Sequence, residues 1–207
     1  MRSHKYYERE ERIDTPRLWL RPMQEEDAET VVGWRNARET AAMFFVPPPS
    51  LAEHRRWFRG RRRGRADYMI IRRDEDRPVG VVNFRHVDIE RGVAEGGKLL
   101  GDMQSRGQGM AKEAFAAWVL YGFGRLGLQR VMIRTREDNN TNIHLNRKLG
   151  FHIEDRYRQQ AADGVMRRFV MMTLTRRDVL HDQYYREVDH QGYFKGLEGG
   201  EDRGRRR

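Results

Sequence analysis

Residues 106–111 read RGQGMA: an arginine, two glycines around a glutamine, then Met110 and Ala111 opening a helix-forming run. Glycines so close together, directly before a helix-forming run, are expensive in backbone entropy, and a plain turn or a cradle for phosphate that the backbone must approach closely are the two reasons for them. A glycine-rich turn between a strand and a helix aims several main-chain N–H groups at one point, and the helix dipole adds partial positive charge there. Arg106 and Lys112 place full charges beside those amides. The chemistry is that of a pyrophosphate cradle. The spacing is not that of the nucleotide loop G-x-x-x-x-G-K-[ST], nor of the dinucleotide turn G-x-G-x-x-G. With no cysteine there is no thiolate to carry an acyl group, and seven scattered histidines form no metal-ligand pattern, so no metal is expected.

Such a cradle needs a strand before it and a helix after it. VAEGGKLLGD (93–102) reads as a strand weakened by its glycines. Behind the turn, Ala111, Ala114, Phe115, Trp118 and Gly122 share one face of a helix that Gly124 and Gly127 end. Further out, TPRLWLRPM (15–23) alternates like a strand, and EEDAETVVGWRN (25–36) leads acidic residues into an apolar stripe, as a helix start should. PPPS at 47–50 stops any helix, and Ser50 with Glu53 forms a capping box for the next. Strands are expected at 68–73 and 79–87 about the turn DEDRP, and at 130–136. A short helix over DNNTNIHLNRKLG follows, opened by asparagine and closed by Gly150. FHIEDRYRQ and 167–175 complete the pattern as two strands antiparallel about ADGV. The order β-α-α-β-β-β-α-β-α-β-β implies an α/β fold, a mixed sheet with helices on both faces. The division expected is an extension at 1–13, one domain at 14–176, and a basic, mobile tail at 177–207 where the periodicity dissolves.

With 207 residues and 38% hydrophobic content the chain can bury one substantial core. The start is charged, so no signal peptide is expected, and no apolar run approaches membrane-spanning length; absent cysteines fit a reducing cytoplasm. A net charge of +10 favours anionic partners: a phosphorylated cofactor, an acidic substrate or nucleic acid. The densest run, RRWFRGRRRGR at 55–65, reads as the solvated end of an amphipathic helix, and no nucleic-acid recognition module accompanies it.

R-G-Q-G-M-A resembles the [Q/R]-x-x-G-x-[G/A] signature of the GNAT superfamily of acetyl-CoA-dependent N-acetyltransferases, and EDNNTNIHLNRKLGF (137–151) resembles that family's later strand-to-helix segment. WRN (34–36) and EHRRWF (53–58) are similar to the subgroup acting on amino-sugar nucleotides in surface-glycan pathways. The resemblance spans about 14–176 and implies that Arg106, Gly107, Gln108, Gly109, Met110, Ala111 and Lys112 hold the pyrophosphate of coenzyme A. It implies that the strand 98–101, with Leu99, Leu100 and Gly101, pairs with the pantetheine arm, with an N–H near Leu100 polarising the thioester carbonyl. Asn139 would open its helix beside that arm. Glu95 matches the position of a catalytic glutamate and is the candidate base for the attacking amine, with His86 and Asp88 on the neighbouring strand as alternatives. An ion pair or a solvent-facing role is the plainer reading of Glu95. Asn146 stands where many members have a tyrosine that protonates the leaving thiolate; asparagine has no such proton, so it can only hydrogen-bond the sulfur, and His144 should lie on another face. The acid stays unassigned. For the acceptor, Trp34, Arg35, Asn36, His54 and Trp57 are candidates, each with a packing or salt-bridge reading beside it. The expected activity is direct acetyl transfer to a primary amine, here a small molecule linked to a nucleotide. A ribosomal-type protein N-terminal acetyltransferase and a silent coenzyme A-binding scaffold are the rivals. Two copies paired as a homodimer would also fit the resemblance.

Overall fold

The computed structural model describes residues 12–41, 46–60, 64–160 and 164–198. Its frame is one eight-stranded sheet. The strands are β1 (Ile13–Asp14), β2 (Leu18–Pro22), β3 (Ala66–Arg72), β4 (Arg77–Asp88), β5 (Val93–Leu100), β6 (Arg130–Arg136), β7 (His152–Gln160) and β8 (Met166–Thr175), and they lie in the order β1-β2-β3-β4-β5-β6-β8-β7. All neighbours are antiparallel except β5 and β6, which run parallel and pair only through Val93, Ala94 and Glu95. Beyond Glu95 these two strands part. The crossover between them is a helix, as a parallel pair requires.

The helices are α1 (Ala28–Asn36), α2 (Arg38–Ala41), α3 (Leu51–Gly60), α4 (Met110–Gly124), α5 (Asn140–Arg147), α6 (Arg176–Leu180), α7 (Gln183–Val188) and α8 (Tyr193–Glu198). Ser50 caps α3 with Glu53 in the expected reciprocal pair, and Asn139 caps α5 through the N–H of Asn142 at 3.1 Å. One sheet face packs on α4, with Phe84, Trp118 and Tyr121 stacked within it. The other carries a smaller cluster in which Met69, Ile71 and Val81 meet Trp34, Trp57 and Leu99. Helices therefore cover both faces of a mixed sheet, as the element order implied.

Two expectations need correction. The pattern does not end at Arg176: α6, α7 and α8 bury Val179, Tyr185, Val188, Phe194 and Leu197 in the main core. Short turns, each with one or two apolar residues, leave no periodicity long enough to register in sequence. This explains the second difference. α4 is buried on nearly every side, Ala116, Ala117, Val119 and Leu120 included, and not along a single stripe. The C-terminal helices cover what would have been its wet face. Residues 1–11, 61–63 of the arginine run, and 199–207 fall outside the described residues.

Candidate active site

The glycine turn lies where β5 hands the chain to α4. Gly107 and Gly109 both sit in the left-handed region, at φ +76° and +78°, where L side chains are strained. Gly109 is the N-cap of α4 and offers no side chain to its first-turn amides, so those donors remain available to a ligand. The residues fit a diphosphate. Met110 is buried in the core and can contribute only its main chain. Arg106 donates to Leu100 O and Thr40 Oγ1, each at 3.3 Å, while Lys112 lies over the Tyr184 ring, 3.4 Å from its centroid. The Gln108 side chain turns back to Gln104 O at 2.7 Å. A cation that sequence reasoning missed stands here: Arg17 donates to Gln108 O at 2.8 Å and approaches Gly109. Buried Glu113 fixes it, accepting from Arg17 Nε and Thr15 Oγ1, both at 2.7 Å. Its sequence signal was a glutamate placed among apolar residues on α4.

The parting of β5 from β6 leaves one edge of β5 open. Gly101 donates to Val79 O across β4, so by strand alternation the N–H groups of Lys98 and Leu100 point away from β4, into the gap. Trp34 closes one end of it, packed so tightly on Gly101 that a Cβ there would lie 2.0 Å from the ring. Asn146 is fully buried on the α4 side; its Oδ1 accepts from Lys98 Nζ at 2.5 Å. His144 is exposed, on another face of α5.

At the fork itself sits Glu95, on the side of α1 and α3 and 4% exposed. Its Oε1 accepts from Arg85 Nη2 and its Oε2 from Arg134 Nη2, both at 2.7 Å. The ion-pair reading of Glu95 is therefore present in the structure. The His86 imidazole is exposed, and its Nε2 lies 4.0 Å from Glu95 Oε2. A bulge brings it there: the register passes from Arg85–Glu95 to Asp88–Val93, so His86 and Val87 together oppose Ala94, and His86 adopts φ +51°. Asp88 turns instead to the Arg91 N–H at 2.9 Å. Neither Arg85 nor Arg134 was singled out in sequence, because a single arginine on a strand carries no periodic signal.

The acceptor candidates divide. Asn36 bonds Val32 O and Pro49 O at 2.9 and 3.1 Å and so ties two segments together. His54 is buried beside Trp57, and burial together with Arg35 holds its pKa below the ordinary imidazole value. Burial and the charges of Arg65 and Arg85 lower the pKa of Arg35. Arg65 clamps Asp67 with two bonds of 2.8 Å and lies over Trp57. On this face Asn83 Oδ1, Arg85 Nε and His54 Nε2 are buried without a hydrogen-bond partner among the described residues. Buried polar atoms are normally satisfied, so these three keep bonding capacity for water or a ligand. Among the described residues no three acidic, histidine or cysteine side chains are grouped to hold a metal, and no helix is long and apolar enough to cross a membrane.

Comparison with known proteins agrees with this geometry. The profile of the family described as Acetyltransferase (GNAT) domain matches residues 17–152. A Bacillus licheniformis protein described as an uncharacterized N-acetyltransferase p20 is 30% identical over 175 residues, 81% of this chain and 98% of its own. A GNAT-family acetyltransferase from Bacillus anthracis superposes with a TM-score of 0.70 at 20% identity, covering 80% of this chain and 98% of that one. A Vibrio cholerae spermidine N-acetyltransferase in complex with CoA and spermine gives 0.71 at 18% identity, covering 80% and 99%. A glycine cradle, a forked parallel pair and a family match over most of the chain converge: this chain belongs to the GNAT family and is an acetyl-CoA-dependent N-acetyltransferase.

Proposed function

We propose that the acceptor is a primary amine on a small molecule that also carries an anionic group, an amino-sugar nucleotide being the leading class. The carrying observation is the cluster of guanidiniums on the acceptor face. Arg35, Arg65, Arg85 and Arg134 gather on this face, where Asp67 holds Arg65 and Glu95 holds Arg85 and Arg134, and where burial and the charges of Arg65 and Arg85 lower the pKa of Arg35. Such a cluster attracts an anionic group and repels a polyamine. The structural likeness to a spermidine acetyltransferase lies in the fold, and its identity of 18% carries no substrate with it.

In this reading the acyl donor lies along the open edge of β5 with its diphosphate on Gly107, Gly109 and the first turn of α4. The Leu100 N–H faces the thioester carbonyl. The amine enters from the side of Trp34 and His54 and attacks at the fork, with Glu95 as the group that takes its proton. Each Glu95 oxygen accepts one guanidinium and keeps lone-pair capacity for another donor. Initial rates with acetyl-CoA against a panel of a 4-amino-sugar nucleotide, spermidine and a peptide amine test the acceptor. The nucleotide-linked amine is expected to give the highest kcat/KM. Arg35→Gln should raise its KM roughly tenfold, the worth of one charge-assisted hydrogen bond, without moving the KM for acetyl-CoA. A preference for spermidine over every anionic amine would overturn the acceptor class.

A further inference from the structure

The departing sulfur of coenzyme A needs a proton, and Asn146 has none to give. Among the described residues, a lysine beside the gap beyond Glu95 carries such a proton. Lys98 projects from β5 on the face opposite Glu95, and its Nζ lies 2.5 Å from Asn146 Oδ1 and 4.3 Å from the centre of the Phe115 ring. Asn146 is itself fixed, its Nδ2 pointing at Met172 Sδ, 3.8 Å away. The ammonium is therefore held at one point by a buried amide and an aromatic face. That point borders the open strand edge, a few residues along β5 from the fork.

We propose that Lys98 is the general acid, giving a proton from its Nζ to the sulfur as the C–S bond breaks. The proposal rests on the acetyl-CoA activity and on the donor's course along β5. The step balances: the amine nitrogen forms the C–N bond and loses its proton on the acceptor face, the thiolate accepts a proton from the Lys98 ammonium, and the neutral lysine is reloaded from water. Asn146 orients the ammonium and is a positioning residue. The surroundings suit the task. Val82 opposite on β4, Phe115 on α4 and Asn146 on α5 carry no charge, and Glu95 lies on the other side of the sheet. Burial in this neutral setting pulls the Lys98 pKa down from 10.5 to about 7, where an acid is most effective near neutral pH.

The protein, Lys98→Met and Lys98→Arg are compared with acetyl-CoA and with its selenoester analogue, whose selenolate leaves without needing a proton. Both variants should lower kcat with the thioester at neutral pH by roughly 100-fold, and with the selenoester by less than about tenfold. Donor affinity, read by calorimetry, should stay within about threefold for both. In the wild type kcat should fall as pH rises through about 7, and both variants should lack that limb. The side-chain carbon resonance of labelled Lys98, assigned by its loss in Lys98→Arg, should titrate near the same pH. Titration near 10.5, or an equal loss with both donors, overturns the acid role. An active wild type with equally active variants overturns it alone. A wild type that acetylates no amine takes the activity with it.

Discussion

At the scale of single residues, chemistry was legible where a side chain has few other reasons to be placed. Asn146 was marked by the departure from tyrosine, and the structure gives its partner, Lys98, which no pattern had singled out. Glu95 was picked out through the family resemblance, by its place at the start of a strand, and its role as base is a proposal. Its companions Arg85 and Arg134 were not, because their contact depends on how three strands pair and no pattern within one strand reports it. Glu95→Gln separates base from anchor. As the base, its loss should cut kcat roughly 100-fold while acetyl-CoA still raises Tm as in the wild type. As an anchor alone, it should lower Tm and raise the acceptor KM with kcat retained. Stopped-flow turnover and thermal melts read the two outcomes.

At the scale of elements, the glycine turn was visible because glycine's freedom is local physics. Gly107 and Gly109 occupy the left-handed region, a conformation their spacing alone does not specify. Gly109→Val should cost about 1–2 kcal/mol in backbone strain. It should also push a branched side chain into the space that Arg17 borders and abolish measurable coenzyme A binding in calorimetry. Unchanged affinity would remove the cradle from the donor site. The bulge at His86 and the fork after Glu95 were invisible, since both depend on which strands pair and for how long.

For the molecule as a whole, the order and class of elements followed from periodicity, while the fate of residues 176–198 did not. Three short helices, α6–α8, look like coil one by one and become structure only against the outer face of α4. The all-apolar stretch AFAAWVLYGFG in α4 was the one hint of that covering. Phe194, buried in the main core, tests it. Phe194→Ala should destabilise the protein by about 3–5 kcal/mol in urea unfolding, whereas a loose tail would give no change. Lys112 links the same region to the cradle through Tyr184, whose hydroxyl pKa burial pushes up to about 12.

The fork also governs the exchange of amide hydrogens with solvent. The Lys98 and Leu100 N–H groups face a gap where no strand of the described residues receives them, though their neighbours Leu99 and Gly101 are bonded into β4. Along one strand, protected and unprotected amides should therefore alternate in the free protein. A donor lying in the gap would erase that alternation at two positions. The sheet then carries its own occupancy gauge, read in deuterium uptake without any turnover.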